Sequence, residues 1–480
     1  MLKKIKNYNL ALYLSFLIIF IGIIFRFYNI DFENLWFDEI VSYWISDPKI
    51  SIFESYQRNN IGEGTPFLFN FLIKILHNIF GYTQNVGRYF SFVISSLSIL
   101  SIIYLAKIIK NNNSFLLIIF LVSMNIFLIK YAQELRVYSL VFFFCSMTLI
   151  FYFKILKENT NNKYLSKNSF YFIIFQILSI LSHPFTLILF GSIILYALLI
   201  KLFKNKIYKS LNASIFIIIT FTVFYLPYYL LNTDPYPTWI SHPDLKFYTN
   251  FYFSKFFGSR LLGIAHLLIL FFLIFKFKKK LFIDLEPSVT LIFILFFSYF
   301  VPIAFGYLYE PILAPRYIIF VLIPIITLIS YLTFELNEKK IKNFFIFLIV
   351  FLTLGNLFTE TTVQQFFKQR LPHKPQYVIA LKEINKSNYN TFAINLSFAN
   401  KNHYIWDMAM NNYFNQIIIK EKLNINHVKF EDLKNQSYFW YICLADLNTS
   451  ICDVINNSKF KILDEKNYNN TNLKLIKLLN

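Results

Sequence analysis

Up to about residue 359, long apolar runs alternate along the chain with short polar ones. Each run is roughly 17 to 22 residues long, which suits an α-helix crossing a hydrocarbon core of about 30 Å. Eleven spans are predicted, over about 9–28, 87–108, 113–129, 137–153, 169–182, 184–202, 211–231, 258–276, 288–306, 318–334 and 343–359. The two runs flanking Ser182-His183-Pro184 are together too long for one kinked crossing. No small-residue processing site follows the first run, so it reads as a retained span. Beyond 360 the apolar runs give way to asparagine, lysine and acids. There HKPQYVIALKEINKSN (373–388) reads as a helix with Pro375 near its start. YNTFAINLSF (389–398), SYFWYICLAD (437–446) and FKILDEKNYNNTNLKLIKLL (460–479) read as strands, the last two forming a hairpin. The expected fold is an all-α polytopic membrane bundle over 1–360, about 11 transmembrane helices, followed by a small extracytoplasmic α/β domain over 361–480.

Composition agrees with that class. The chain is 56% hydrophobic and 15% charged, where soluble domains carry about a quarter charged residues. Charge then orients the bundle. With the N-terminus inside, the cytoplasmic segments hold Lys3, Lys4, Lys6 and the lysine groups within 107–110, 154–167, 201–209, 276–280 and 339–342. Lysine bias in short loops marks the cytoplasmic side. The segment 29–86 and everything after about 360 then lie outside the cell (inner or plasma) membrane. The net charge of +20 is chiefly an anchoring signal toward membrane lipids. No nucleic-acid-binding motif accompanies it.

Arginine is distributed differently from lysine. The residues Arg26, Arg58, Arg88, Arg136, Arg260, Arg316 and Arg370 all fall in external segments or at outer span ends. Lysine would snorkel to headgroups equally well, whereas a guanidinium grips phosphate or carboxylate bidentately. Arg26 and Arg260 are expected to snorkel. The others point to an external site for an anionic group.

The first external segment carries NLWFDEIVSYW (34–44) and then GEGTPFLFNFLIKILHNIFG (62–81), which suits an interfacial helix. Asp38 and Glu39 allow two readings. One is a helix-capping charge pair; the other is a partly desolvated carboxylate able to take a proton from a hydroxyl. Gln133, Glu134, Arg136 and Tyr138 cluster at one outer span end, and Arg316 with Tyr317 at another. They read either as interfacial anchors or as a phosphate site with Arg88. His183 reads first as a polar residue satisfied between helices. Cys145 reads as packing, and Cys443 and Cys452 can form a disulfide in an oxidising compartment.

These stretches together resemble the C-type membrane glycosyltransferases, which include protein O-mannosyltransferases and lipid A aminoarabinose transferases. NLWFDEIVSYW resembles their first-loop Asp-Glu motif, GTPFLFNFLIKILHNIFG and GRYFSFVISSLSIL their next segment, and QELRVYSL their Gln-Glu-x-Arg-x-Tyr motif. LSHPFTLILF and PRYIIFVLIPI resemble two later elements, all in the family order across about 10–360. The resemblance implies a polyprenyl-phosphate monosaccharide donor, undecaprenyl-type in a bacterial host, and a lipid, glycan or protein acceptor. It makes Asp38 the catalytic base, Glu39 the residue that positions the acceptor or shares the proton load, and Arg88, Arg136 and Arg316 the holders of the lipid phosphate. Two departures stand out. Val41 replaces a common arginine, and Gly64-Thr65-Pro66 replaces His-Pro-Pro. Some relatives use a divalent metal here, for which Glu63 is the candidate ligand. The competing readings are a flippase or transporter for a lipid-linked glycan, and a glycan polymerase or ligase. Transporters commonly show inverted repeats and broken midplane helices, which the pattern lacks.

Overall fold

The structure is a computed structural model. It describes residues 2–109, 114–158, 164–233, 240–394, 403–428, 436–443 and 460–479, with backbone alone for 2–9 and 403–407. In chain order the helices begin α1 Leu2–Phe27, α2 Phe37–Ile45, α3 Ile52–Gly62, α4 Leu68–Phe80, α5 Gln84–Ile109, α6 Phe115–Ser123 and α7 Ile126–Ala132. Next come α8 Tyr138–Lys157, α9 Lys167–Ser182, α10 Thr186–Lys204, α11 Lys209–Asn232, α12 Leu245–Tyr248, α13 Phe253–Phe257 and α14 Arg260–Lys276. The rest are α15 Val289–Leu308, α16 Leu322–Glu335, α17 Lys339–Asn356, α18 Tyr377–Lys386 and α19 His403–Glu421. Helix therefore lies at every position where the apolar pattern predicts a span. Among the described residues, six of these helices are long and apolar enough to cross a membrane, or seven if the bent pair α6–α7 counts as one span.

The chain divides into two compact units. One comprises 1–28, 64–69 and 89–369; the other comprises 29–63, 70–88 and 370–480.

In the first unit, α8 and the segment 319–333 are buried almost throughout. On α1 and α11 large apolar side chains face outward instead, with Tyr13 71% and Leu231 86% exposed. Apolar surface on that scale is stable against lipid and not against water. This is an integral membrane protein.

The bend between α6 and α7, of 50°, has a clear cause. The helix stops at Ser123-Met124, and Asn125 caps the next one by accepting from the Leu128 N–H at 2.9 Å. The carbonyls freed by the stop are taken by Arg26 of α1, whose Nη1 and Nη2 donate to Ser123 O at 2.7 Å and Val122 O at 2.9 Å. The same side chain reaches Gly22 O and Ser95 Oγ. Arg26 thus does not snorkel to headgroups as expected; it is wholly buried. In an apolar bundle, two open carbonyls cost more than turning a guanidinium inward to fill them. Gly22 allows the close approach, because a Cβ there would lie 2.7 Å from the Ser123 Cβ.

In the second unit a five-stranded sheet runs in the order β2-β1-β3-β5-β4, with β1 Thr391–Ile394, β2 Asn426–His427, β3 Tyr438–Cys443, β4 Phe460–Tyr468 and β5 Thr471–Leu478. β1 is parallel to β2 and β3; β5 is antiparallel to β3 and β4. The expected hairpin moves. It lies within the last predicted stretch, which folds back at Asn469-Asn470, and β3 pairs with β5 across it. Asn470 takes a positive φ of 50°, which asparagine tolerates in tight turns. Successive β3 residues are buried on both faces, so both faces are covered. On one face Phe414 of α19 meets Phe392 and Tyr377. The suggested Cys443–Cys452 bridge involves a residue outside the described set.

Candidate active site

In the second unit the motif Trp36-Phe37-Asp38-Glu39 starts α2. Glu39 is its third helical residue and accepts from the Trp36 N–H at 3.3 Å, the return arm of a capping box. Because neighbouring helical residues point about 100° apart, the two acids part company. Glu39 turns inward and is 0% exposed, while Asp38 is half-buried.

Burial of Glu39 is matched by cations. Arg88, the fifth residue of α5, meets it twice, Nε to Oε1 at 3.1 Å and Nη2 to Oε2 at 3.0 Å. Lys374 Nζ donates to Oε2 at 2.7 Å. Burial alone would raise the carboxyl's pKa, but Arg88 and Lys374 outweigh it and hold it down to about 2. A carboxylate so held stays charged and gives its proton away, so Glu39 is an anchor here; the expected role as a proton-sharing helper does not suit its surroundings. Arg88 is equally committed. Its remaining bonds go to Ile30 O at 3.1 Å, Glu33 O at 2.6 Å and Asn34 O at 3.0 Å. Five N–H donors meet five acceptors of the same unit, and the side chain is 1% exposed. Phosphate binding by Arg88, expected from sequence, has no donor left to it. Val41, where the resemblance leads us to expect arginine, is buried.

The loop before α2 is held by the C-terminal part of the same unit. Glu33 accepts from the His373 N–H at 2.7 Å and lies 3.6 Å from Arg370. Asn34 donates to Pro375 O at 3.2 Å, and the Leu35 N–H to the Tyr413 hydroxyl at 3.1 Å. Glu63 follows α3 and accepts from Ser42 Oγ at 3.0 Å. Among the described residues no set of three or more His, Cys, Asp or Glu side chains converges as metal ligands. Among the described residues the donors do not assemble a site for a divalent ion.

The first unit holds a different cluster. Between α7 and α8 the chain turns tightly at Gln133–Arg136, with the Arg136 N–H on Glu134 O at 2.8 Å. Gln133 ties the turn to the end of α1 through Phe25 O at 3.1 Å and Tyr28 O at 3.0 Å. The Arg136 guanidinium carbon lies 5.8 Å from the Tyr138 ring centre, and that of Arg316 lies 5.9 Å from the same ring. Tyr317 stacks beside Tyr138 at 6.4 Å, and His183 packs on Tyr317 at 5.1 Å. The His183 Nδ1 accepts from the Phe185 N–H at 3.2 Å, which fixes the ring. Glu134 and Arg136 are both buried. Sequence segments near 135, 183 and 316 thus converge. The arrangement gathers two guanidiniums and three rings. Arg58 and Arg370 lie in the other unit, on Glu54 and Glu33, and Arg260 is exposed.

No protein-family model matches the chain, and no curated protein matches it in sequence. Its similarity is to solved structures. ArnT from Cupriavidus metallidurans in the apo state superposes with a TM-score of 0.56 at 11% identity, over 96% of this chain and 97% of that one. The same protein bound to undecaprenyl phosphate gives 0.50 at 10% identity over the same shares. The archaeal oligosaccharyltransferase AglB from Archaeoglobus fulgidus, in complex with an inhibitory peptide and a dolichol-phosphate, gives 0.54 at 10% identity, over 94% of this chain and 71% of that one. The chain has the C-type fold of these membrane glycosyltransferases.

Proposed function

We propose that this protein is an integral membrane glycosyltransferase that moves a monosaccharide from a polyprenyl-phosphate donor to an acceptor hydroxyl on the extracytoplasmic side. The proposal includes an eleven-span topology with the N-terminus inside. Asp38 takes the proton of the acceptor hydroxyl. The acceptor oxygen attacks the anomeric carbon from the side opposite the phosphate, the sugar–phosphate bond breaks, and the electron pair leaves with the lipid phosphate. Configuration inverts, and one base suffices. Arg136 and Arg316 stabilise the charge that grows on the departing phosphate, an effect worth about 10²- to 10³-fold per donor elsewhere.

The observation that carries this reading is the meeting of Arg136 and Arg316 on the one Tyr138 ring. Two guanidiniums gathered at one buried ring offer the forked donors that a phosphate takes up. That ArnT has been solved with undecaprenyl phosphate and AglB with a dolichol-phosphate supports the choice of anion.

The test has two arms. Undecaprenyl phosphate binding to the purified chain, followed by native mass spectrometry, should weaken about tenfold or more in R136M and in R316M. Envelope glycans of a deletion strain complemented with D38N should lack the product that wild type restores, a drop of about 10²- to 10⁴-fold. Wild-type product from D38N would remove Asp38 from the reaction.

A further inference from the structure

We infer that Tyr252 is a positioning residue for Arg316, delivered to its place by a strained turn; this rests on the reading of Arg316 as a holder of the donor phosphate. The turn lies between α12 and α13. Phe251 and Tyr252 follow one another there with φ of 47° and 62°, the left-handed region that residues bulkier than glycine rarely adopt. Two aromatic residues in succession at such angles raise the energy of the folded chain, and strain of this kind persists only where the surroundings over-determine it. They do so here. The Phe251 N–H donates to Phe247 O at 2.7 Å, and Tyr299 of α15 donates its hydroxyl to Phe251 O at 2.7 Å. Asn250 accepts from Ser254 Oγ at 2.9 Å, and the Phe247 and Tyr252 rings meet at 4.7 Å. α14 packs closely on the start of α13, where a Cβ on Gly263 would lie 2.5 Å from Ser254 N.

What the strain achieves is the direction of one phenol. Glycine at either position would relax the backbone, yet at 252 it would take away a hydroxyl that donates to Leu313 O at 3.0 Å. Leu313 is buried, as is Ala314 after it. The next residues form the turn that carries the guanidinium. In it the Tyr317 N–H donates back to Ala314 O at 3.1 Å, around Pro315 and Arg316. Proline presets the first inner position of such a turn, which leaves Arg316 at the second. Downstream, Arg316 O accepts from the Ile319 N–H at 3.4 Å, and the chain enters the buried segment 319–333. The arginine thus sits between a segment packed into the core and a loop tied at Leu313 by Tyr252. A guanidinium grips phosphate through a fork of fixed geometry, so the backbone beneath it has to keep its place. Tyr252 holds that backbone on the upstream side, and its own rigidity comes from the turn around it.

The experiment uses the full-length purified chain, with undecaprenyl phosphate as the probe and native mass spectrometry as the readout. Y252F, R316M and the double variant are compared with wild type, and amide hydrogen exchange is followed over 316–319. Y252F should weaken binding about threefold to tenfold, the worth of one hydrogen bond, and speed exchange at the Tyr317 amide. In the R316M background the same substitution should change binding by less than about twofold, because it acts through the arginine. A tyrosine that only stabilises the fold would give the same fold-change in both backgrounds. Y252L stands in if the phenylalanine variant fails to accumulate. Wild-type binding by Y252F, an equal loss in both backgrounds, or weaker binding without faster exchange at Tyr317 each overturns the inference. Wild-type binding by R316M strikes at the reading beneath it and takes the inference with it.

Discussion

Arg88 and the pair Arg136–Arg316 occupy different units and show two uses of one side chain. Arg88 has a protein acceptor for every N–H and a carboxylate for its charge. Arg136 and Arg316 are brought to the same tyrosine ring, where each must tolerate the other's charge. The first arrangement lowers the energy of the folded chain. The second places two positive charges against one ring, an arrangement suited to meeting an anion. Stability and ligand binding should therefore respond oppositely in the two places.

The largest effect is expected at the first. R88M leaves Glu39 buried with Lys374 as its remaining cation and should cost about 3–5 kcal/mol, read as a fall in the unfolding temperature of the detergent-solubilised protein. R88K should recover little, since one ammonium cannot replace a five-donor fork. An unfolding temperature unchanged in R88M would break the contrast. Acid gives the next effect. The Glu39 pKa is depressed from 4.5 to about 2, so its contribution is fully present above about pH 4.5 and fades as pH falls toward 2. The shift corresponds to on the order of 3 kcal/mol, measurable as acid-side loss of denaturant resistance that E39Q lacks. The smallest effect sharpens the other side. R136M and R316M, weak in lipid-phosphate binding, should lower the unfolding temperature less than R88M does.

The membrane part of the fold was legible because the hydrocarbon requirement is coarse. Any run such as 87–108 or 211–231 announces a helix by length and polarity alone. Shorter or more charged runs, α9, α14 and α17 among them, also formed helices where the pattern placed them. The helix α19 went unread. Its buried residues Met410, Tyr413, Phe414 and Ile417 keep helical spacing, yet exposed Met408 and Ile419 fill the opposite face and blur the stripe. The hairpin was misplaced because a single 20-residue stretch hid two strands around an Asn-Asn turn.

Within the candidate site, residue types were easier to read than jobs. Asp38, Glu39, Arg136, Arg316, Tyr138, Tyr317 and His183 all stood out as chemistry, but nothing local distinguishes a saturated arginine from a gathered one. That distinction depends on carbonyls of Ile30, Glu33 and Asn34 arriving from some fifty residues upstream. Lys374 carried no signal at all, being one lysine in a lysine-rich chain.

The broken span α6–α7 also bears on biogenesis. Its two exposed carbonyls are quenched by a side chain from α1, a segment translated about a hundred residues earlier. While Arg26 waits for that partner it is a cation in a nascent transmembrane segment, costly to leave in lipid. The first helix therefore cannot be exchanged for a generic leader in expression work. A replacement would insert, yet leave the kink unsealed and the turn at Gln133–Arg136 without its mooring.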